Sequence, residues 1–410
     1  MTAEAAWKMG ADVSANFEHI RQSFDLPEGM VYLDGNSLGP PPRAVAGRIA
    51  REIKNHWGEK LVTAWNSAGW IDLPLAVGNQ IAKLIGAPQG SVIAGDSTSV
   101  NVFKALTSAL ALAGTRKIIL SDTGNFPTDL YVAQGAVRAL GQGHEIKIVA
   151  PEDVSGAIDE SIGVLMLTQV DYRTGRLHDM AALTAKARKN GVITIWDLAH
   201  SAGAFPVDIA GSGCEFAVGC GYKYLHGGPG APAFIYVRPD LAKNIKPALA
   251  GWLGHSAPFA FDLDYREAQG VGRMTVGTPP ILSMAALHEA LKLWEGVDLA
   301  ALRARSIILS QRFIREVEAR CPMLTLASPR DPEMRGSQVS FRHAEGYAVM
   351  QALIAHGVIG DFRAPDIIRF GFTPLYISEA DVVTAAERLE KIMCGEDWRR
   401  PEFSKRSKVT

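Results

Sequence analysis

A chain of 410 residues exceeds what one ordinary core fills and fits a large domain with a smaller partner. Its 42 basic and 43 acidic residues give a net charge of −1, which excludes an electrostatic footprint for nucleic acid or an anionic membrane. Hydrophobic content of 47% is that of a globular protein. The opening MTAEAAWKMGADVSANFEHI has no basic region ahead of an apolar run, so no signal peptide is expected. No apolar stretch approaches the roughly 18 residues of a membrane span. Four scattered cysteines without CxxC spacing argue against a disulfide framework and for a reducing, cytoplasmic setting. The locally basic KRSKVT at the end is expected to be a solvated tail.

In chain order, SVNVFKALTSALALAG predicts a helix with one apolar face, and KIILS a buried strand. NFPTDLYVAQGAVRALG reads as a helix, EIKIVA and GVLMLTQV as strands, MAALTAKARKNG as a helix and VITIWDL as a further strand. Strands alternating with helices predict a parallel sheet covered on both faces, with ligands beyond the carboxyl ends of its strands. After residue 300 the pattern changes. A long helix, LAALRARSIILSQRFIREVEARC, precedes GSQVSFRH, a helix near YAVMQALIAHG, then VIGDFRAPDIIRFGFTP and a last helix. A smaller α+β domain is expected there. The division is 1–60 as an N-terminal segment packing on the small domain, 61–300 as the large domain and 301–410 as the small one.

The strand ends carry the chemistry. Asp197 closes VITIWDL, where an acid is either a cap or a carboxylate holding a pyridinium N–H. Lys223, in GCGYKYLHGGPG, lies between the apolar runs FAVGC and APAFIYV. A lysine between two buried runs needs a partner or a covalent role. Lys223 and Asp197 together point to pyridoxal 5′-phosphate held as a Schiff base. Thr98 and Ser99 stand at a helix start, as N-caps or as phosphate ligands. Phe126 follows a strand, as a core residue or as a platform for a flat ring.

The motifs VYLDGNSLGP, AWNSAGW, NFPTDLY, WDLAHSAGA, GCGYKYLHGGPG, GWLGH, GTPP and RFGFTPLY occur in the order found in kynureninases. The chain resembles that family, in its bacterial form, from about residue 27 to 385. The resemblance implies an α/β fold of the fold-type I (aspartate aminotransferase-like) class, with a mostly parallel central sheet and a small C-terminal domain. It implies hydrolysis of the Cβ–Cγ bond of L-kynurenine to anthranilate and L-alanine in tryptophan catabolism, by a homodimer with shared active sites. It implies a covalent bond to the cofactor at Lys223, a partner for the ring nitrogen in Asp197 and phosphate contacts from Thr98, Ser99 and Tyr222. Phe126 would pack on the ring, and Asp129, Thr168 and His200 would complete the cofactor shell. Trp252 and Thr278 would reach the phosphate from the neighbouring subunit. Tyr222 would also give acid–base help, and Arg369 would grip the substrate carboxylate. Trp65 and the Gly277-Thr278 pair would favour L-kynurenine over its 3-hydroxy form. No metal is implied.

Two other readings stay open at this level. A cysteine desulfurase or aminotransferase shares the fold, but a desulfurase needs an exposed, low-pKa thiol on a loop, which none of Cys214, Cys220, Cys321 and Cys394 is placed to supply. A non-catalytic binding protein would have no use for an acid-paired Schiff-base lysine.

Overall fold

The computed structural model describes residues 17–406. The expectations for the leader region before residue 17 and for the last four residues of the basic tail lie outside them. Strand β1 (Val31–Tyr32) comes first of the strands described and pairs with a distant partner described below. A seven-stranded sheet follows, built from β2 (Val92–Ala94), β3 (Ile118–Asp122), β4 (Glu145–Val149), β5 (Ile162–Thr168), β6 (Ile193–Asp197), β7 (Phe216–Gly219) and β8 (Phe234–Val237). Its order is β2-β8-β7-β6-β5-β3-β4. The run from β7 to β4 is parallel, and every residue of β5 is buried, as expected of strands covered on both faces. All the strands and helices expected here from the sequence are present.

Strand β8 runs antiparallel to both of its neighbours. The reason lies in the connection: a parallel partner needs a crossover, usually a helix, and the glycine-rich segment between β7 and β8 supplies none. The lysine loop therefore stays at the end of the sheet where β7 delivers it.

Local chemistry fixes the helices that frame this end. Ser97 caps the helix Thr98–Leu112, its side chain accepting from the Val100 N–H. Pro127 occupies the first turn of Pro127–Leu140, and Gly141, at φ 61°, closes it in the left-handed conformation that favours glycine. On the far face, Trp196 is fully buried and donates to Thr184 Oγ1 at 3.0 Å, which joins β6 to the helix Met180–Lys189. Emptying such a site by Trp→Ala costs about 3–5 kcal/mol.

The C-terminal region contains β9 (Thr325–Leu326), β10 (Gln338–Arg342), β11 (Val358–Ile359), β12 (Asp361–Arg363) and β13 (Ile367–Gly371). Four of them form an antiparallel sheet in the order β12-β13-β10-β9. The helix Glu379–Cys394, started by a capping box between Ser378 and Asp381, packs along the long helix Leu299–Arg320. The remaining strand, β11, pairs in parallel with β1, so the N-terminal segment is bound into this region. Among the described residues no helix is long and apolar enough to cross a membrane.

Candidate active site

The carboxyl ends of β3, β5, β6 and β7 bring Phe126, Thr168, Asp197 and Lys223 to one edge of the sheet. Thr168 and Asp197 are register partners, so their side chains end level. Lys223 Nζ lies 3.0 Å from His200 Nε2, 6.0 Å from the centre of the Phe126 ring and 5.8 Å from that of Tyr222. The loop is braced from the N-terminal segment, where the Gly39 N–H donates to the Tyr222 carbonyl at 2.8 Å. A Cβ on Gly39 would stand 2.3 Å from the Lys223 carbonyl oxygen, which restricts this position to glycine.

Electrostatics separate the two acids beside the lysine. Burial raises the pKa of both Asp129 and Asp197. Asp129 goes well above the usual carboxylate range, because the Asp197 charge adds to burial and Lys223 offsets only part of it. Asp197 is drawn back by Lys223 and by the Ala199 N–H, which donates to Oδ1 at 2.8 Å. Of the two, Asp129 is therefore raised further than Asp197. Burial, and then the Lys223 charge, push His200 well below its ordinary value, so its ring is neutral, and its Nδ1 is buried without a partner. Burial also raises the Tyr222 hydroxyl, which keeps its proton at neutral pH.

Several alternatives left open by the sequence narrow here. The cap of the helix at residue 98 is Ser97, so Thr98 and Ser99 lie in the first turn with N–H groups that have no intrahelical acceptor. Phe126 is 41% exposed and meets Tyr172 edge-on at 5.1 Å, so it is not a core residue. Cys214, Cys220 and Cys321 are buried, and burial pushes Cys214 and Cys321 up to about 12, unsuitable for a nucleophilic thiol. Cys394 is exposed but ends a helix rather than sitting on a loop.

Other expected residues make their contacts elsewhere. Trp65 meets Trp70 edge-on at 5.7 Å, and Trp70 donates to the buried Glu52 at 3.0 Å. Trp252 is exposed in a cluster with Phe259 and Phe261, and Gly277 and Thr278 are exposed in the following turn. None of these four makes a hydrogen bond or ring contact with Lys223, His200, Asp197 or Phe126. Arg369 is fully buried and paired with Asp361 through Nε, at 2.8 Å, and Nη2.

Two features escaped the sequence reading. Lys104 is buried and donates to Asp96 at 2.8 Å and to the Met274 carbonyl at 2.6 Å, tying the turn before Thr98 to the segment that leads to Thr278. Around Arg369 stand Ser37, Asp34, Asp361 and Arg363. The alternation D-x-R in DFRAP was the available signal, since it puts Asp361 and Arg363 on one face of a strand.

The fold is that of the fold-type I pyridoxal-phosphate enzymes. A cysteine desulfurase from Thermococcus onnurineus NA1 superposes with TM-score 0.77 at 19% identity, covering 92% of this chain and 98% of that one. The Escherichia coli cysteine desulfurase CsdA gives 0.78 at 18%, with the same coverage. A form of C-DES with glycine linked to its pyridoxal-phosphate cofactor gives 0.79 at 18%, covering 90% and 98%. Residues 302–389 match the model of the kynureninase C-terminal domain. The kynureninase of Pseudomonas fluorescens is 47% identical over 409 residues, 98% of each chain. That of Burkholderia pseudomallei (strain 1106a) is 47% identical over 398 residues, 95% of this chain and 96% of the other. The chain belongs to the kynureninase family, and it is an enzyme.

The residues present fit pyridoxal phosphate. A lysine amine, a buried carboxylate with a single N–H donor, a buried imidazole nitrogen lacking a partner, an exposed phenyl face and a helix start converge at one sheet edge.

Proposed function

We propose that this chain hydrolyses the Cβ–Cγ bond of L-kynurenine, giving anthranilate and L-alanine, with pyridoxal 5′-phosphate carried on Lys223. The supporting observation is the Lys223 amine set against His200, Phe126 and Tyr222 beside the end of β6, where Asp197 stands. Bound there, the cofactor supplies an electron sink for bond breaking next to the substrate's α-carbon.

The residues divide the remaining work. Asp197 would hold the ring nitrogen's proton, and Phe126 would pack on the ring. Thr98, Ser99 and Tyr222 would hold the phosphate, while Asp129, Thr168 and His200 would complete the shell. Lys223 Nζ would accept the proton from the substrate's α-carbon and would give a proton back to that carbon in the alanine product. Neutral His200, at 3.0 Å, accepts from that amine and keeps it oriented. The Tyr222 hydroxyl, kept protonated by burial, would give its proton to the γ-carbonyl oxygen as water adds to the carbon, and would take back the proton that the water loses. Arg369 would orient the α-carboxylate. We place the enzyme in the cytoplasm, a setting that suits its buried free thiols.

Incubation with L-kynurenine is expected to release fluorescent anthranilate and an equal amount of alanine. The 2-oxo acid of kynurenine, formed without anthranilate and with the amine left on the cofactor, would instead indicate an aminotransferase. A 3-hydroxy group against Trp65 and Gly277 finds no partner, and its unpaired burial costs about 1–3 kcal/mol. The kcat/KM for 3-hydroxykynurenine is therefore expected to be about 5- to 150-fold lower. A higher value than for kynurenine would refute this account of the wall.

The protein is further proposed to be a twofold dimer whose Trp252 and Thr278 enter the partner's site. The exposed cluster of Trp252, Phe259, Phe261 and Leu263 is an apolar patch of the kind that marks an interface. Neither Lys223→Ala nor a Trp252→Ala/Thr278→Ala double variant should be active alone. Mixed and exchanged in equal amounts, they should recover about a quarter of native activity, since half the dimers carry one intact site. With exchange verified, no recovery would place both residues in their own chain's site.

A further inference from the structure

The substrate-carboxylate subsite just proposed contains a second guanidinium. Strands β12 and β13 are antiparallel with Asp361 opposite Arg369, and Arg363, two residues beyond Asp361, shares its face. A single carboxylate thus stands between two arginines. Asp361 Oδ2 also accepts from Ser37 Oγ at 2.5 Å and from Arg363 Nη2 at 2.6 Å.

The two guanidinium groups differ in what they have left to offer. Arg369 is 1% exposed. Its Nε and Nη2 reach both Asp361 oxygens, Nη2 also donates to Ser37 Oγ at 2.9 Å, and Nη1 donates to the Tyr172 carbonyl. An arginine has five N–H donors, so Arg369 keeps one. Arg363 is 33% exposed at its side chain. Only its Nη2 is engaged, with Asp361 and, at 3.3 Å, with Ser37, while its Nε is buried without a partner. The donors that can meet a new carboxylate are therefore mostly those of Arg363.

Charge points the same way. Arg363 and Arg369 carry two positive charges against the one negative charge of Asp361. Burial, and then the Asp361 charge, raise the pKa of the nearby Asp34 well above the ordinary carboxylate value, so its charge offsets the arginines less readily. In the hydrogen-bonded cluster itself two guanidinium groups face one carboxylate, an excess suited to one further carboxylate. The cluster also lies near the lysine loop: the charges of Arg369 and then Arg363 act on His200, that of Arg363 acts on Tyr222, and Gly39, two residues after Ser37, donates to the Tyr222 carbonyl.

We propose that Arg363 binds the substrate's α-carboxylate directly, with Arg369 fixing Asp361 and supplying its one remaining donor. This rests on the proposed function, and the test separates the two. Wild-type holoenzyme, Arg363→Met and Arg363→Lys are compared on L-kynurenine and on its methyl ester, in which the carboxylate is neutral. The dissociation constant of L-alanine is measured in parallel through the change in cofactor absorption. For Arg363→Met, KM for kynurenine and the alanine constant should rise about 10- to 100-fold, with a smaller fall in kcat. The ester should be affected less than about 3-fold, so discrimination between acid and ester collapses. Arg363→Lys should restore part of the loss, its point charge lacking the fork. Equal losses on acid and ester, or unchanged constants for kynurenine and alanine, would overturn the proposal. If Arg363→Met does not fold, Arg363→Lys decides alone, by a rise confined to the acid or by none. A wild-type enzyme that makes no anthranilate would count against the function, while the alanine constants would still test Arg363.

Discussion

Replacing Lys223 with alanine is expected to lower turnover by at least about 10⁴-fold, because one amine both carries the cofactor and moves the α-proton. Among the described residues Lys104 is the one fully buried lysine, but its ammonium is committed to Asp96 and the Met274 carbonyl. Borohydride reduction of the wild-type holoenzyme followed by peptide mapping should therefore find the pyridoxyl group on the peptide containing Lys223. Its appearance on Lys104 or any other lysine would sink the assignment, whatever the activity of the variant.

Asp197→Asn is the second large effect. The amide oxygen can still accept from the Ala199 N–H, so the turn after β6 keeps its bond and the fold should be unchanged. What disappears is the charge that holds the ring nitrogen protonated. Removal of the α-proton should slow by about 10²- to 10⁴-fold, while cofactor affinity changes by less than about tenfold. An isotope effect with α-deuterated kynurenine should grow as this step becomes limiting. Near-native activity would reduce Asp197 to a strand-end cap, the alternative its sequence position left open.

Much of the large domain could be read from the sequence because its strands are covered on both faces. IILS, GVLML, ITIW and FAVG are continuous apolar runs; Thr168 and Asp197 end two of them, Lys223 follows shortly after a third, and the sheet gathers all three residues. Choices between neighbours were harder. The hydroxyls of Ser97, Thr98 and Ser99 are alike in sequence, and only the turn geometry assigns the cap to Ser97. Contacts between distant strands were harder still. Asp361 and Arg369 become partners through the register of β12 on β13, which no local spacing reports. Lys104 sits inside an ordinary helical pattern, and its second acceptor is 170 residues away.

The pairing of β1 with β11 has a consequence for how the protein is made. Synthesis runs from the N-terminus, so the segment bearing Ser37 leaves the ribosome early, yet Asp361 follows 324 residues later. Closing so long a loop costs about 5 kcal/mol of chain entropy before any contact offsets it. A nascent chain can complete β2 through β8, with Lys223 in place, while β1 still lacks the strand it pairs with. Cofactor captured at that stage would meet a lysine without the Ser37 loop, Asp361 or either arginine beside it. Competence to bind substrate therefore arrives only once the segment around Ser37 has joined strands made more than three hundred residues later.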